Sequence, residues 1–155
     1  AHLISIKEAE NLYNILVQKR LIQKDKLDAK KNINLEYSFK KTILDKRWEI
    51  YIGKNDKNND LLTLKFAHKF DLWFHAQGAA GSHIIIRLSN KNELPPAHII
   101  EQAASIAAFH SDDKHSSTVA VIYTQVRFVR KPRKAKPGTV SVQQHKTIFV
   151  EPKNL

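Results

Sequence analysis

Residues Ala97–Phe109, AHIIEQAASIAAF, place apolar or small side chains nearly all round a helical wheel. Only the interior of a fold accepts such a helix, and its alanines let it lie close against whatever covers it. Pro95-Pro96, just before it, suits a helix entrance, because proline at the first turn lacks only an amide that would be orphaned anyway. The cover comes from segments in which the apolar period drops to two. Residues 71–76 (DLWFHA) alternate, residues 83–87 (HIIIR) are apolar throughout and therefore central in a sheet, and residues 119–129 (VAVIYTQVRFV) form a third apolar strand.

Upstream, Ile33, Leu35, Tyr37 and Phe39 alternate with polar residues, as do Trp48, Ile50 and Ile52 after Asp45-Lys46-Arg47, predicting a β-hairpin that Gly53 closes. Residues 54–60 (KNDKNND) read as loop, with Asn59 or Asp60 capping a short helix through Ala67 whose buried side is Leu61, Leu62, Leu64 and Phe66. Residues 139–143 and 147–150 predict a final strand pair joined across Gln144, His145 and Lys146. At the other end, residues 4–30 read as a helix, since Ala9, Leu12, Leu16, Lys19 and Ile22 follow three- and four-residue steps. Its Leu12, Ile15, Leu16 and Ile22 either pack on the rest of the chain or belong to a coiled coil whose other strand lies elsewhere. The expected fold is α+β: a mixed, largely antiparallel sheet with one buried alanine-rich helix, preceded by an N-terminal, coiled-coil-like helical arm. The expected division is 1–32 for the arm and 33–155 for the domain.

Charge narrows the function. The 155 residues carry a net charge of +11, distributed as +4 over residues 1–60, −1 over 61–113 and +8 over 114–155. A solvated surface normally mixes both signs, so the almost purely cationic last segment is the footprint of a polyanion binder, with nucleic acid the leading partner. The absence of cysteine excludes disulfides, thiol catalysis and cysteine-ligated zinc. No apolar run reaches the ~20 residues of a membrane-spanning helix, and no signal peptide opens the chain, so a cytoplasmic protein without a membrane partner is expected. With no methionine present, Ala1 is either a processed start or the edge of a fragment.

Three constellations carry candidate chemistry. In the first, strand alternation sets Asp71, Trp73 and His75 on one face. They either form a surface where Trp73 or His75 stacks on a base and Asp71 orients the imidazole, or a buried tryptophan beside a satisfied Asp–His hydrogen bond. The second is residues 78–83 (GAAGSH), whose consecutive amides either line an anion-binding concavity or make an ordinary strand connection. Ser82 and His83 belong to it, and without a G-K-[ST] ending it is not a Walker loop. The third is residues 127–138 (RFVRKPRKAKPG), with six cations and no acid, broken by two prolines and a glycine. A rigid basic loop suits a phosphate backbone; the alternative is a solvated flexible loop. His68, His75 and His83 match no metal-ligand spacing and no nucleophile elbow occurs, so no metal, cofactor or catalytic residue is assigned.

Taken together, Ile52-Gly53-Lys54-Asn55, Asn59-Asp60-x-x-Thr63, residues 71–76 and residues 81–87 resemble the RNA-binding domain of the NFACT family (NFACT-R). Tyr123-Thr124-x-Val126, residues 129–132 and Lys136-Pro137-Gly138 continue the match in order, so that it covers about residues 39–152. The family comprises NEMF-like, RqcH-like and fibronectin-binding-protein-A-like factors. The resemblance implies ribosome-associated quality control, in which the full-length factors act on obstructed large subunits and recruit tRNA. It also implies that residues 1–35 end a coiled coil and that the glycosylase-like domain with the family's Asp-Arg pair is absent from this chain. Free-standing copies of the domain are linked to tRNA thiolation, which supplies an alternative pathway. The family's usual arginine after the first glycine is Lys54 here, which keeps charge and loses a bidentate donor.

The expectation is a non-catalytic domain that binds rRNA or tRNA through phosphates, using Lys54, Asn55, Arg87, Arg127, Arg130, Lys131, Arg133, Lys134 and Lys136. Asp71, Trp73, His75, Ser82 and His83 would shape the adjacent pocket. Two further classes stay open: an RNA-modifying enzyme built on Asp71, His75 and His83, and a protein-interaction module acting through the Leu12, Leu16 and Ile22 stripe of the arm.

Overall fold

The computed structural model describes residues 6–36 and 38–155. The chain divides into two units, one ending at Ser38 and one spanning Phe39–Leu155. In the first, α1 runs over Ile6–Glu36 and leaves Leu12, Leu16, Ile22 and Leu27 at least half exposed. The helix continues through residues 33–36, so these do not begin the expected hairpin; Tyr37 lies outside the described residues. Alternation over so few positions does not distinguish a strand from the last turn of a long helix.

The second unit follows the order β1 (Lys40–Leu44), β2 (Trp48–Ile52), α2 (Asp56–Leu61), β3 (Leu72–Ala76), β4 (Ile84–Ile86), α3 (Ala97–Phe109), β5 (Val119–Gln125), β6 (Val129–Arg130), β7 (Ser141–Val142) and β8 (Lys146–Val150). Six strands form one antiparallel sheet in the order β1-β2-β4-β3-β5-β8, while β6 and β7 make a separate two-stranded ribbon. The expected final pair is therefore wrong in its partners. β7 pairs with β6 and β8 with β5, because the chain turns away from the sheet at Val126–Phe128, a 3₁₀ turn that ends the third strand early.

The sheet has two covered faces. On one, Ile50, Phe74, Ile84, Ile86 and Val121 pack beneath α3, whose Ile99, Ala103, Ala104, Ala107 and Ala108 are fully buried. A bulkier side chain at Ala103 or Ala104 would overpack this layer at a cost of about 1–3 kcal/mol. On the other face, Trp73 and Ile85 meet Leu62, Val126 and Val129, with Phe39, Tyr51 and Phe66 at the margin.

That second face is roofed by α2 and by the π-helical turn Leu62–Phe66 that continues it. The short helix starts earlier than expected, within the segment read as loop. Its N-cap is Asn55, whose Oδ1 accepts the Asn58 amide at 2.9 Å, and not Asn59 or Asp60, which lie inside the helix. Of the expected buried side, Leu62 is fully buried and Leu61, Leu64 and Phe66 are half-buried.

Candidate nucleic-acid interface

Asn59, on the inner face of α2, is 3 % exposed and organises the strand connection beside it. Its Oδ1 accepts the His83 amide at 3.1 Å and its Nδ2 donates to the Gly81 carbonyl at 3.3 Å. A Cβ at Gly53 would stand 1.8 Å from that Oδ1, so only glycine fits opposite Asn59. One turn further on, Thr63 Oγ1 lies 2.8 Å from His83 Nδ1. Asn59 and Thr63 thus clamp His83 from one helix face.

His83, Trp73 and His75 form a ring cluster. Trp73 and His75 stack with centroids 5.8 Å apart, and His83 meets both edge-on, at 5.2 and 5.5 Å. Burial pushes the His83 pKa down to about 3, helped by His75 and Lys131, while backbone hydrogen bonds with Gly138 and Asn59 pull the other way. Burial also lowers the pKa of His75. Both imidazoles are neutral at neutral pH. With Trp73 1 % exposed, the Trp73 ring is no platform for a base.

Asp71 corrects a second expectation, because it touches neither His75 nor the solvent. Its carboxylate accepts the amides of His68 at 2.9 Å and Leu88 at 3.0 Å and pairs with Arg87 Nε at 3.2 Å. Arg87 also reaches His68 Nε2 at 3.0 Å and the Phe66 carbonyl at 3.2 Å, with its guanidinium 4.3 Å over the Phe66 ring. That arginine is committed to holding the turn after α2.

The basic loop is pinned, not free. Lys131 Nζ donates to Asp60 Oδ2 at 2.9 Å and also to the Lys136 carbonyl, while the Gly138 amide donates to Asp60 Oδ1 at 3.1 Å. Gly138, with φ +81°, sits so close that a Cβ would be 2.9 Å from Asp56 Oδ1. Local bonds from Ala135 N to Pro132 O and from Thr139 N to Lys136 O, each 3.1 Å, fold the loop on itself. Lys131 is therefore a clamp. Arg130, Arg133, Lys134 and Lys136 are exposed, and no carboxylate among the described residues pairs with them.

Beside Asp56 opens a cleft of about 600 Å³ that holds Lys54, Asn55 and Ser82 together with Lys40, His110 and Lys114. The Ser82 amide donates to the His110 carbonyl at 3.0 Å and the His83 amide to Asn59, so these amides belong to the strand connection and not to an anion cradle. Arg127 stands apart. It is exposed, bonds Gln125 Oε1 at 2.6 Å and lies 4.5 Å over Phe128.

Sequence reasoning placed Asn59, Asp60, Thr63 and Gly138 among the family motifs, and Asn59 or Asp60 as a helix cap, but not as the residues that hold His83 and the basic loop. The four-residue step from Asn59 to Thr63 on a helix was the available signal. Lys40, His110 and Lys114 carried none, being brought to the cleft from distant strands and turns.

Residues 37–144 match the family model described as the NFACT protein RNA binding domain. The chain is 44% identical over 103 residues to the Rqc2 homolog RqcH of Bacillus subtilis, covering 66% of this chain and 17% of that protein. It is 34% identical over 153 residues to the Rqc2 homolog RqcH of Streptococcus pneumoniae, covering 95% of this chain and 26% of that protein. Among solved structures, the C-terminal part of the fibronectin/fibrinogen-binding protein from Streptococcus suis superposes with a TM-score of 0.68 at 36% identity, over 74% of this chain and 45% of that one. The chain thus spans about a quarter or less of the curated relatives.

Proposed function

The chain belongs to the NFACT protein RNA binding domain family, and on that premise we propose that it is a non-catalytic domain gripping structured RNA by its phosphates. The RNA is that of the large ribosomal subunit or a tRNA, and the domain serves a cytoplasmic, ribosome-associated quality-control factor like its Rqc2-homolog relatives. One observation carries the reading: Asp60 holds the base of a loop from which Arg130, Arg133, Lys134 and Lys136 project with no acidic partner among the described residues. A pinned cationic loop loses little entropy on binding and releases counterions from each phosphate it neutralises. Lys54 and Asn55 in the adjoining cleft, with Arg127 beyond the ribbon, extend the contact surface. The exposed Leu12, Leu16 and Ile22 of α1 fit a coiled-coil partner helix.

The test is binding of this chain to tRNA and to a stem-loop RNA across a salt series. Log affinity is expected to fall steeply with log salt, and neutralising Arg130, Arg133, Lys134 and Lys136 to glutamine should flatten the slope by about one unit per lost phosphate contact. An affinity indifferent to those four substitutions would remove the loop from the RNA site.

A further inference from the structure

A second cavity, of about 460 Å³, opens where β5 runs into the 3₁₀ turn. Leu72, Tyr123 and Phe128 give it an apolar, partly aromatic floor, and Gln125, Gln144 and Lys146 stand on its rim. Among the described residues no carboxylate lines it. Its walls come from the two ends of the ribbon that carries the basic loop: Phe128 immediately precedes β6, and Gln144 and Lys146 follow β7. The Gln143 amide donates to the Phe128 carbonyl at 3.0 Å and closes the base of that ribbon. Both rings are held in place, Tyr123 stacked on Phe74 at 5.4 Å and Phe128 beneath the Arg127 guanidinium at 4.5 Å.

We propose that this cavity takes an unpaired nucleobase of the RNA whose phosphates lie along the basic loop, an inference that rests on the reading of that loop as an RNA contact. A base presents a π-face to an aromatic floor and a hydrogen-bonding edge to carboxamides, and its own phosphate meets Lys146 on the rim. An aliphatic side chain of a protein partner would fill the floor and leave the rim amides desolvated without partners. A paired base is stacked and its edges are occupied, so the ligand is a bulged, looped or terminal nucleotide.

The experiment compares two RNAs that share one stem, one blunt-ended and one with a short single-stranded overhang, by fluorescence anisotropy. The chain should prefer the overhang by about tenfold, the scale of one base stacked on an aromatic ring. Phe128→Leu, which keeps apolar bulk and removes the ring, should erase most of that preference while leaving blunt-stem affinity and salt slope unchanged. Gln144→Ala, at an exposed position, should reduce the preference without touching the packing. Arg133→Gln/Lys134→Gln/Lys136→Gln should weaken both RNAs alike. Equal affinity for the two RNAs, or a preference intact in both cavity variants, overturns the nucleobase site and leaves the loop standing. A preference lost in the cavity variants, with the loop variant binding both RNAs as tightly as the parent, supports the cavity and overturns the loop.

Discussion

Lys131 donates from Nζ to Asp60 Oδ2 at 2.9 Å, joining residues 71 positions apart, and the same carboxylate receives the Gly138 amide through its other oxygen. One side chain of α2 thereby fixes both ends of the basic loop. Asp60→Ala raises the net charge, so long-range electrostatics alone would tighten RNA binding. Loss of the clamp predicts the opposite: affinity weaker by about fivefold, with a stability loss of about 1 kcal/mol for a half-buried pair. Anisotropy titrations at fixed salt decide between them, and tighter binding would refute the clamp.

Arg87 and the loop arginines are predicted to fail differently. Arg87→Lys keeps the charge and removes the fork that serves Asp71, His68 and Phe66, so unfolding free energy should fall by about 1–2 kcal/mol with RNA affinity unchanged. Arg133→Gln should show the reverse, weaker RNA binding at unchanged stability. Urea denaturation and binding on both variants test the pair; an RNA defect in Arg87→Lys at wild-type stability would return Arg87 to the interface.

Gly53→Ala introduces a methyl 1.8 Å from Asn59 Oδ1. The Asn59 carboxamide must move, breaking its bonds to His83 and Gly81, so we expect a loss of about 2–3 kcal/mol or more in chemical denaturation. A near-neutral effect would mean that Asn59 is not the organiser of the connection.

Stability should also depend on pH above the range where carboxylates titrate. The folded pKa of His83 lies near 3 against an ordinary 6.5, so between these values the unfolded state binds the extra proton and stability rises with pH. It is complete above about pH 6.5 and falls as pH drops, by about 1.4 kcal/mol per pH unit for one such group. His75 and His110, both lowered by burial, act in the same direction. Urea unfolding at pH 6.5, 6.0, 5.5 and 5.0 should show this slope, flattened in His83→Gln. A profile flat over that window in the parent chain would show that His83 is not buried in its neutral form.

The alanine-rich helix, the central strand at residues 84–86 and the alternation of residues 72–76 were legible because burial leaves a periodic trace in local sequence. Period alone gave the wrong element for residues 33–36 and the wrong partner for β7, since strand pairing is decided by residues far away in the chain. Of the site, the cation run was plain on reading. Its division into the clamp Lys131 and the exposed Arg130, Arg133, Lys134 and Lys136 was not, because a lysine's role depends on whether a carboxylate from another element reaches it.

The sequence by itself determined the α+β class, the buried helix and the concentration of positive charge near the C-terminus, all consequences of composition and short-range pattern. Only the tertiary structure decided that Trp73 is sealed in the core, that Arg87 serves Asp71, and that Asp60 holds the loop at Lys131 and Gly138. Those facts depend on which side chains the sheet order brings within hydrogen-bonding distance. A bond a few ångströms long between residues 71 or 78 positions apart leaves no mark in the order of the chain.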